Sequence, residues 1–154
     1  MILNLSDAIA KTTEARSVSL PPDSRPLGVA EPGFILLVED DFMLRGSLAT
    51  VLGAEGYRVE CEANALDALR RLERPPKPSL ILLDIMLPYM DGLEFRALQR
   101  NMRHVADIPV IVITAVGIRP EIAADLDLVH AFPKPLDCPR LLAAIRRFCV
   151  PKVS

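Results

Sequence analysis

From Phe34 onward the chain alternates short apolar runs with stretches whose apolar residues recur at helical spacing. Phe34-Ile35-Leu36-Leu37-Val38 is apolar throughout and predicts a strand over 34–38. Leu44, Leu48, Val51 and Leu52 then share one helical face, and Gly53 and Gly56 stop that helix. Residues 57–61 read as a weaker strand. Asn64 opens a second helix as its cap, with Asp67 in the first turn and Ala65, Ala68, Leu69 and Leu72 inward. Pro75-Pro76-Lys77-Pro78 ends that unit before a third strand over 79–83. A third helix carries Leu93, Leu98 and Met102, a fourth strand covers 108–113, and 118–128 has room only for a short helix from Pro120. A weak strand over 129–132 leads to a last helix from about Pro139, with Leu141, Leu142, Ile145, Phe148 and Cys149 inward. Five strand–helix units predict an α/β fold, a parallel sheet covered on both faces, because parallel strands need crossovers.

Residues 1–33 break this rhythm. Pro21-Pro22, Pro26 and Pro32-Gly33 interrupt any regular element, so the segment reads as an N-terminal arm or linker ahead of one domain over 34–150. Within it Ser6-Asp7 could cap a short helix with Ile2, Leu5 and Ile9 on one side, marginal on its own. A hydrophobic fraction of 51% is ample for one packed core in 154 residues. The net charge of −2 supplies no field for nucleic acid or an anionic membrane, and no basic aromatic stripe compensates. Three cysteines without Cys-x-x-Cys spacing argue against a disulfide framework or a zinc site, and fit small buried hydrophobes in a reducing cytoplasm. No secretory leader and no membrane-length apolar run is expected, nor an output domain after residue 150.

The ends of the apolar strands carry the chemistry. The first runs into Glu39-Asp40-Asp41, the third into Asp84, the fourth into Thr114-Ala115, and the last weak strand into Pro133-Lys134-Pro135. In open α/β sheets the carboxyl ends of the strands form the rim where ligands bind. Singly, each of these has an ordinary reading: a turn cap, a β-favoured threonine, a surface lysine. Together they outline a phosphoryl-and-magnesium site.

At this point the chain resembles the receiver domain of bacterial two-component response regulators. The resemblance covers about residues 33–149. It rests on Leu-Leu-Val-Glu39-Asp40-Asp41, Leu-Leu-Asp84-Ile-Met-Leu-Pro88-Tyr-Met-Asp91-Gly92, Val-Ile-Thr114-Ala115 and Pro-Lys134-Pro135. It implies a flavodoxin-like, doubly wound (βα)5 sheet in the order 2-1-3-4-5, and a signalling protein in place of an enzyme. It also implies that Asp84 accepts a phosphoryl group from a sensor histidine kinase or a histidine phosphotransfer protein. Mg2+ would be held by Asp40, Asp84 and the Met86 main-chain carbonyl, with Glu39 acting mostly through water. Thr114 would bond a phosphoryl oxygen, and Lys134, followed by a cis Lys134-Pro135 bond, would pair with the phosphoryl charge. Asp41 falls one residue late in this frame and opens the following helix; Pro88, Asp91 and Gly92 read as structural.

Two departures qualify the resemblance. Ala131 stands where the family commonly carries an aromatic residue that reports phosphorylation by swinging inward, and twenty residues separate Thr114 from Lys134, fewer than in many receivers. The phosphorylated state is therefore expected to act through contacts with an unknown downstream protein by a non-standard route, and a homodimer stays open. The alternatives are a receiver-like interaction module that works without phosphate, and an aspartate-nucleophile phosphatase. The latter is disfavoured because Met86 occupies the place of its second Asp. A nucleotide-binding flavodoxin-like protein is weaker still, for want of a Gly-rich loop after the first strand.

Overall fold

Runs of β-branched and leucine side chains with no polar alternation demand burial on both faces, and three such segments lie side by side between two more polar ones. A computed structural model describes residues 33–152; the arm helix expected around Ile2, Leu5 and Ile9 lies outside the described residues. The strands are β1 (Phe34–Val38), β2 (Arg58–Glu62), β3 (Leu80–Asp84), β4 (Val110–Thr114) and β5 (His130–Pro133). They form one parallel sheet in the order β2-β1-β3-β4-β5, so the expected topology is the observed one. Every residue of β1, β3 and β4 is buried, while β2 and β5, at the two edges, are partly exposed.

The helices are α1 (Phe42–Ala54), α2 (Ala65–Leu72), α3 (Gly92–Arg100), α4 (Pro120–Asp125) and α5 (Cys138–Ile145). Leu36, Val38, Ile81 and Leu83 pack with Ala68, Leu72 and Phe95 on one face of the sheet. Ile35, Leu37, Leu80 and Leu82 pack with Leu48, Leu52, Leu141 and Ile145 on the other. Alternate strand residues thus feed opposite cores. Asp41, Asn64, Asp91 and Asp137 each accept from the amide three residues on, capping α1, α2, α3 and α5.

Several expectations need correcting. β2, β3, β4 and β5 each begin one or two residues later than the apolar runs suggest, which makes Asp84 and Thr114 the last residues of their strands. The inward stripe of α3 is Gly92, Phe95, Arg96 and Gln99, spaced i, i+3, i+4, i+7; Leu98 is 43% exposed. Two of those four positions are polar, which is why the stripe misreads from hydrophobicity. Arg96 donates to the carbonyls of Leu126 (2.8 Å), Asp127 (2.9 Å) and Ile108 (3.2 Å) and to Gln99 Oε1 (2.6 Å). Its guanidinium so holds the end of the short α4 against α3, at a burial that pulls its pKa down. On α1, Val51 is exposed rather than inward. Phe148 and Cys149 lie beyond the end of α5, still packed on the core. Cys61, expected to be buried, is exposed on the edge strand β2.

Candidate functional site at the carboxyl rim of the sheet

The register that buries β1, β3 and β4 also brings their last residues level: Val38 lies beside Leu83, Asp84 beside Ile113, and Thr114 beside Pro133. Glu39 continues β1 by donating its amide to the Glu62 carbonyl at 3.1 Å. Lys134 likewise continues β5, its amide donating to the Thr114 carbonyl at 2.9 Å. The ladders therefore deliver an acid, an acid, a hydroxyl and an ammonium to one rim.

Their side chains converge there. Lys134 Nζ lies 2.9 Å from Glu39 Oε2 and 3.2 Å from Asp84 Oδ2. Glu39 is fully buried and Asp84 nearly so. Carboxylate oxygens of Glu39, Asp40 and Asp84 lie within 4.8 Å of one another, with Asp40 on the solvent side. Asp84 Oδ1 accepts from the Met86 amide and Thr114 Oγ1 from the Val116 amide, each at 3.1 Å. Each strand-end side chain is thus fixed by a turn two residues on. Asp41 turns away to cap α1, and its amide donates to Glu39 Oε1 at 3.0 Å.

Burial raises the Glu39 pKa, against the lowering effect of hydrogen bonds from Lys134 and the Asp41 amide. Burial pulls the Lys134 ammonium down, but its bonds to Glu39 and Asp84 outweigh that and leave its pKa raised. Lys134 stays cationic and offsets part of the acid charge.

Loop geometry explains the structural residues beside the site. A side chain on Gly92 would collide with the Asp84 carbonyl, so only glycine lets α3 begin against this loop. The Gly92 amide donates to the Ile85 carbonyl at 2.8 Å. Lys134-Pro135 is cis, as the resemblance implies. Met86, whose amide is held by Asp84 Oδ1, is 57% exposed. Ala131 lies on exposed β5 and lines a hollow of about 210 Å3 that runs from Thr114 past Val116 and Ile118.

Arg45 was not singled out from sequence. It reaches back from α1 to donate Nη1 to the Glu39 carbonyl at 2.7 Å and the Asp40 carbonyl at 3.3 Å. Its signal was available in principle, a basic residue one turn into a helix that follows an acidic loop, but that pattern also fits a solvated face.

The response regulator receiver domain family matches residues 35–146, and the chain belongs to it. A transcriptional regulatory protein CpxR homolog of Haemophilus influenzae is 37% identical over 114 residues, 73% of this chain and 48% of that protein. The response regulator MprA of Mycobacterium leprae is 38% identical over 115 residues, 73% of this chain and 49% of the relative. The chain thus spans about half the length of the curated relatives it matches. Among solved structures, the N-terminal domain of a response regulator receiver protein from Methanoculleus marisnigri is 31% identical, with a TM-score of 0.62 over 78% of this chain and 98% of that one. A receiver protein from Pseudomonas putida, 23% identical with a TM-score of 0.72 over 77% and 99%, shares the fold.

Receiver domains bind Mg2+ at an acidic pocket, and Glu39, Asp40 and Asp84 form such a cluster here. The donors suit it: carboxylate oxygens at an open, solvent-facing rim are what a small hard cation that keeps some of its waters requires. No described helix is long and apolar enough to cross a membrane.

Proposed function

We propose that this chain is the phosphoacceptor of a two-component phosphorelay, with Asp84 as the residue modified. The observation that carries the reading is the single Lys134 ammonium spanning Glu39 and Asp84 beside a buried Thr114 hydroxyl. An Asp84 carboxylate oxygen attacks the phosphorus of a phosphohistidine. The new O–P bond forms as the P–N bond breaks, and the electron pair returns to the imidazole of a sensor kinase or phosphotransfer protein. Such transfer needs alignment and charge compensation more than further covalent help. Asp40, Asp84 and the Met86 carbonyl would hold Mg2+, with Glu39 assisting through water. When bound, the ion supplies positive charge to the transferring phosphoryl oxygens. Lys134 would move from Glu39 toward the phosphoryl group, and Thr114 would donate its hydroxyl to it.

The domain proper is assigned to 34–150 and the arm over 1–33 is dispensable for this step, since it lies outside all four motifs. The product acts through altered protein contacts. A phosphate-independent interaction module is the second reading, favoured by Ala131 in place of a side chain able to rotate into the hollow beside Thr114.

Incubation with a small phosphodonor such as acetyl phosphate and Mg2+, read by intact mass and acid lability, tests both. One added phosphate in the unsubstituted chain and none in Asp84→Asn is expected. Labelling that persists in Asp84→Asn overturns the site; no labelling at all favours the second reading.

A further inference from the structure

We propose that Arg45 is a positioning residue for the metal loop: its guanidinium sets the placement of Asp40 and thereby the affinity of the site for Mg2+. The inference rests on the reading of this rim as a Mg2+ site and goes beyond it in naming what holds the site open.

Three acids in succession, Glu39-Asp40-Asp41, repel one another, and each must be held by something. Glu39 is held four ways: its amide on Glu62, its carboxylate on Lys134 and on the Asp41 amide, and its carbonyl on Arg45. Asp41 is held as the cap of α1. Asp40 is not held by its side chain, which lies exposed. Among the hydrogen bonds of the described residues, the one made to Asp40 is from Arg45 Nη1 to its carbonyl, 3.3 Å. The same nitrogen lies 2.7 Å from the Glu39 carbonyl, so one donor group bridges two consecutive peptide units. Arg45 itself is anchored within α1, its amide donating to the Asp41 carbonyl at 2.9 Å and its guanidinium stacked 5.6 Å from the Phe42 ring centroid.

No carboxylate among the described residues pairs with Arg45; both of its polar contacts are carbonyls. The guanidinium therefore does not consume the metal's ligands. It orders the backbone that presents them, so less order has to be imposed when the cation binds. Nη1 stands one bond further from Cα than a lysine Nζ would, so a lysine at this position keeps the charge but ends short of the two carbonyls.

Charge and geometry predict opposite signs. If Arg45 acted on Mg2+ only as a nearby positive charge, removing it would tighten binding. If it positions the loop, removing it weakens binding. Calorimetric titration of MgCl2 into the full chain, Arg45→Met and Arg45→Lys separates the two. At least threefold weaker Mg2+ binding in both variants is expected. In acetyl phosphate labelling, the half-saturating Mg2+ concentration should rise by the same factor while the maximal rate at saturating Mg2+ is retained. Affinity unchanged or tightened in Arg45→Met, or equal to the unsubstituted chain in Arg45→Lys, overturns the proposal, even where the unfolding midpoint falls. Should Arg45→Met fail to fold, Arg45→Lys alone decides at the same threshold. Absence of Mg2+ binding by the unsubstituted chain overturns it together with the metal site. Absence of labelling with Mg2+ binding intact overturns only the phosphoacceptor reading.

Discussion

Lys134 Nζ lies closer to Glu39 Oε2, at 2.9 Å, than to Asp84 Oδ2, at 3.2 Å. The ammonium that follows β5 is thus engaged by the acid that follows β1 as well as by the acid that ends β3, and it compensates two buried carboxylates at once. On the proposed reading, a cation entering the acid cluster would take over compensation that Lys134 supplies in its absence, and would free the ammonium to meet a phosphoryl group on Asp84.

Replacing Lys134 with Met should therefore destabilise the chain in metal-free solution. Breaking a buried pair costs about 3–5 kcal/mol. Lys134 is 22% exposed, and we expect about 2 kcal/mol after discounting for solvent. Added Mg2+ should recover much of that loss, and should stabilise Lys134→Met more than the unsubstituted chain. Urea unfolding with and without MgCl2 checks this; equal Mg2+ stabilisation of the two proteins would show that the ion and the ammonium do not share the same carboxylates.

Asp40 and Asp41 should separate cleanly. Asp41 is spent on capping α1 through the Leu44 amide at 3.0 Å, whereas Asp40 belongs to the acid cluster. Asp40→Asn should weaken Mg2+ binding about tenfold or more, about 1.4 kcal/mol or above. Asp41→Asn keeps a side-chain cap and should leave that affinity within about twofold. Mg2+ titration of the two variants gives the answer directly, and the reverse order would move the metal frame by one residue.

The sequence was most legible where burial is complete. β1, β3 and β4 are apolar runs that lead into Glu39, Asp84 and Thr114, and both the strands and the polar residues at their ends could be read from them. The lateral order 2-1-3-4-5 came with the resemblance, because periodicity says which residues face a core and nothing about which strand lies next door. Polar burial was the blind spot. Arg96 and Gln99 lie inward on α3 because carbonyls at Leu126, Asp127, Val105 and Ile108 satisfy them, all in loops beyond the helix that only the fold brings back to it. Leu98 was placed inward in their stead. The same holds at the site. Glu39 could be nominated from its motif, but its pairing with Lys134, ninety-five positions away, exists only once β1 and β5 are brought to one rim. Ala131 shows the opposite case, a departure visible in sequence whose consequence, an open hollow beside Thr114, needed the fold.

At the far edge of the sheet, Glu60 offers a pH test independent of the site. Its hydrogen bonds with the nearly buried Arg71 hold its carboxyl below the ordinary value of 4.5, and Arg58 adds to the effect. Arg71 and Arg58 also flank the Phe34 ring, at 4.8 and 5.1 Å from its centroid. A carboxylate with a lowered folded pKa contributes stability that is fully present above its unfolded pKa and is lost as pH falls through the folded one. Glu60→Gln should cost about 1 kcal/mol at neutral pH. The difference from the unsubstituted chain should close on acidification below about pH 4. Unfolding curves at a series of pH values check the direction; a gap that widens in acid would assign the wrong sign to this pair.

Met86 and Val116 give the last expectation, that an Asp84 acyl phosphate is comparatively long-lived. Both side chains are apolar and exposed, two residues after Asp84 and Thr114 respectively, and their amides are held by Asp84 Oδ1 and Thr114 Oγ1. Hydrolysis requires a water in line with the O–P bond, and neither a thioether nor an isopropyl group can orient or deprotonate one as a carboxylate, amide or imidazole could. Met86 also has the length to cover that approach. Met86→Ala should speed decay by uncovering it, and Met86→Asn by more, since the amide can also hold the attacking water; a few-fold and about tenfold are the expected changes, the latter equivalent to about 1.4 kcal/mol in the barrier. Loss of the acid-labile phosphate over time in the isolated protein measures this. Because the Met86 side chain is largely solvent-exposed, both variants should fold with near-unchanged stability, so a changed lifetime reports on access of water to Asp84. Decay unchanged in both would mean that water reaches the phosphoryl group from a direction this side chain does not cover.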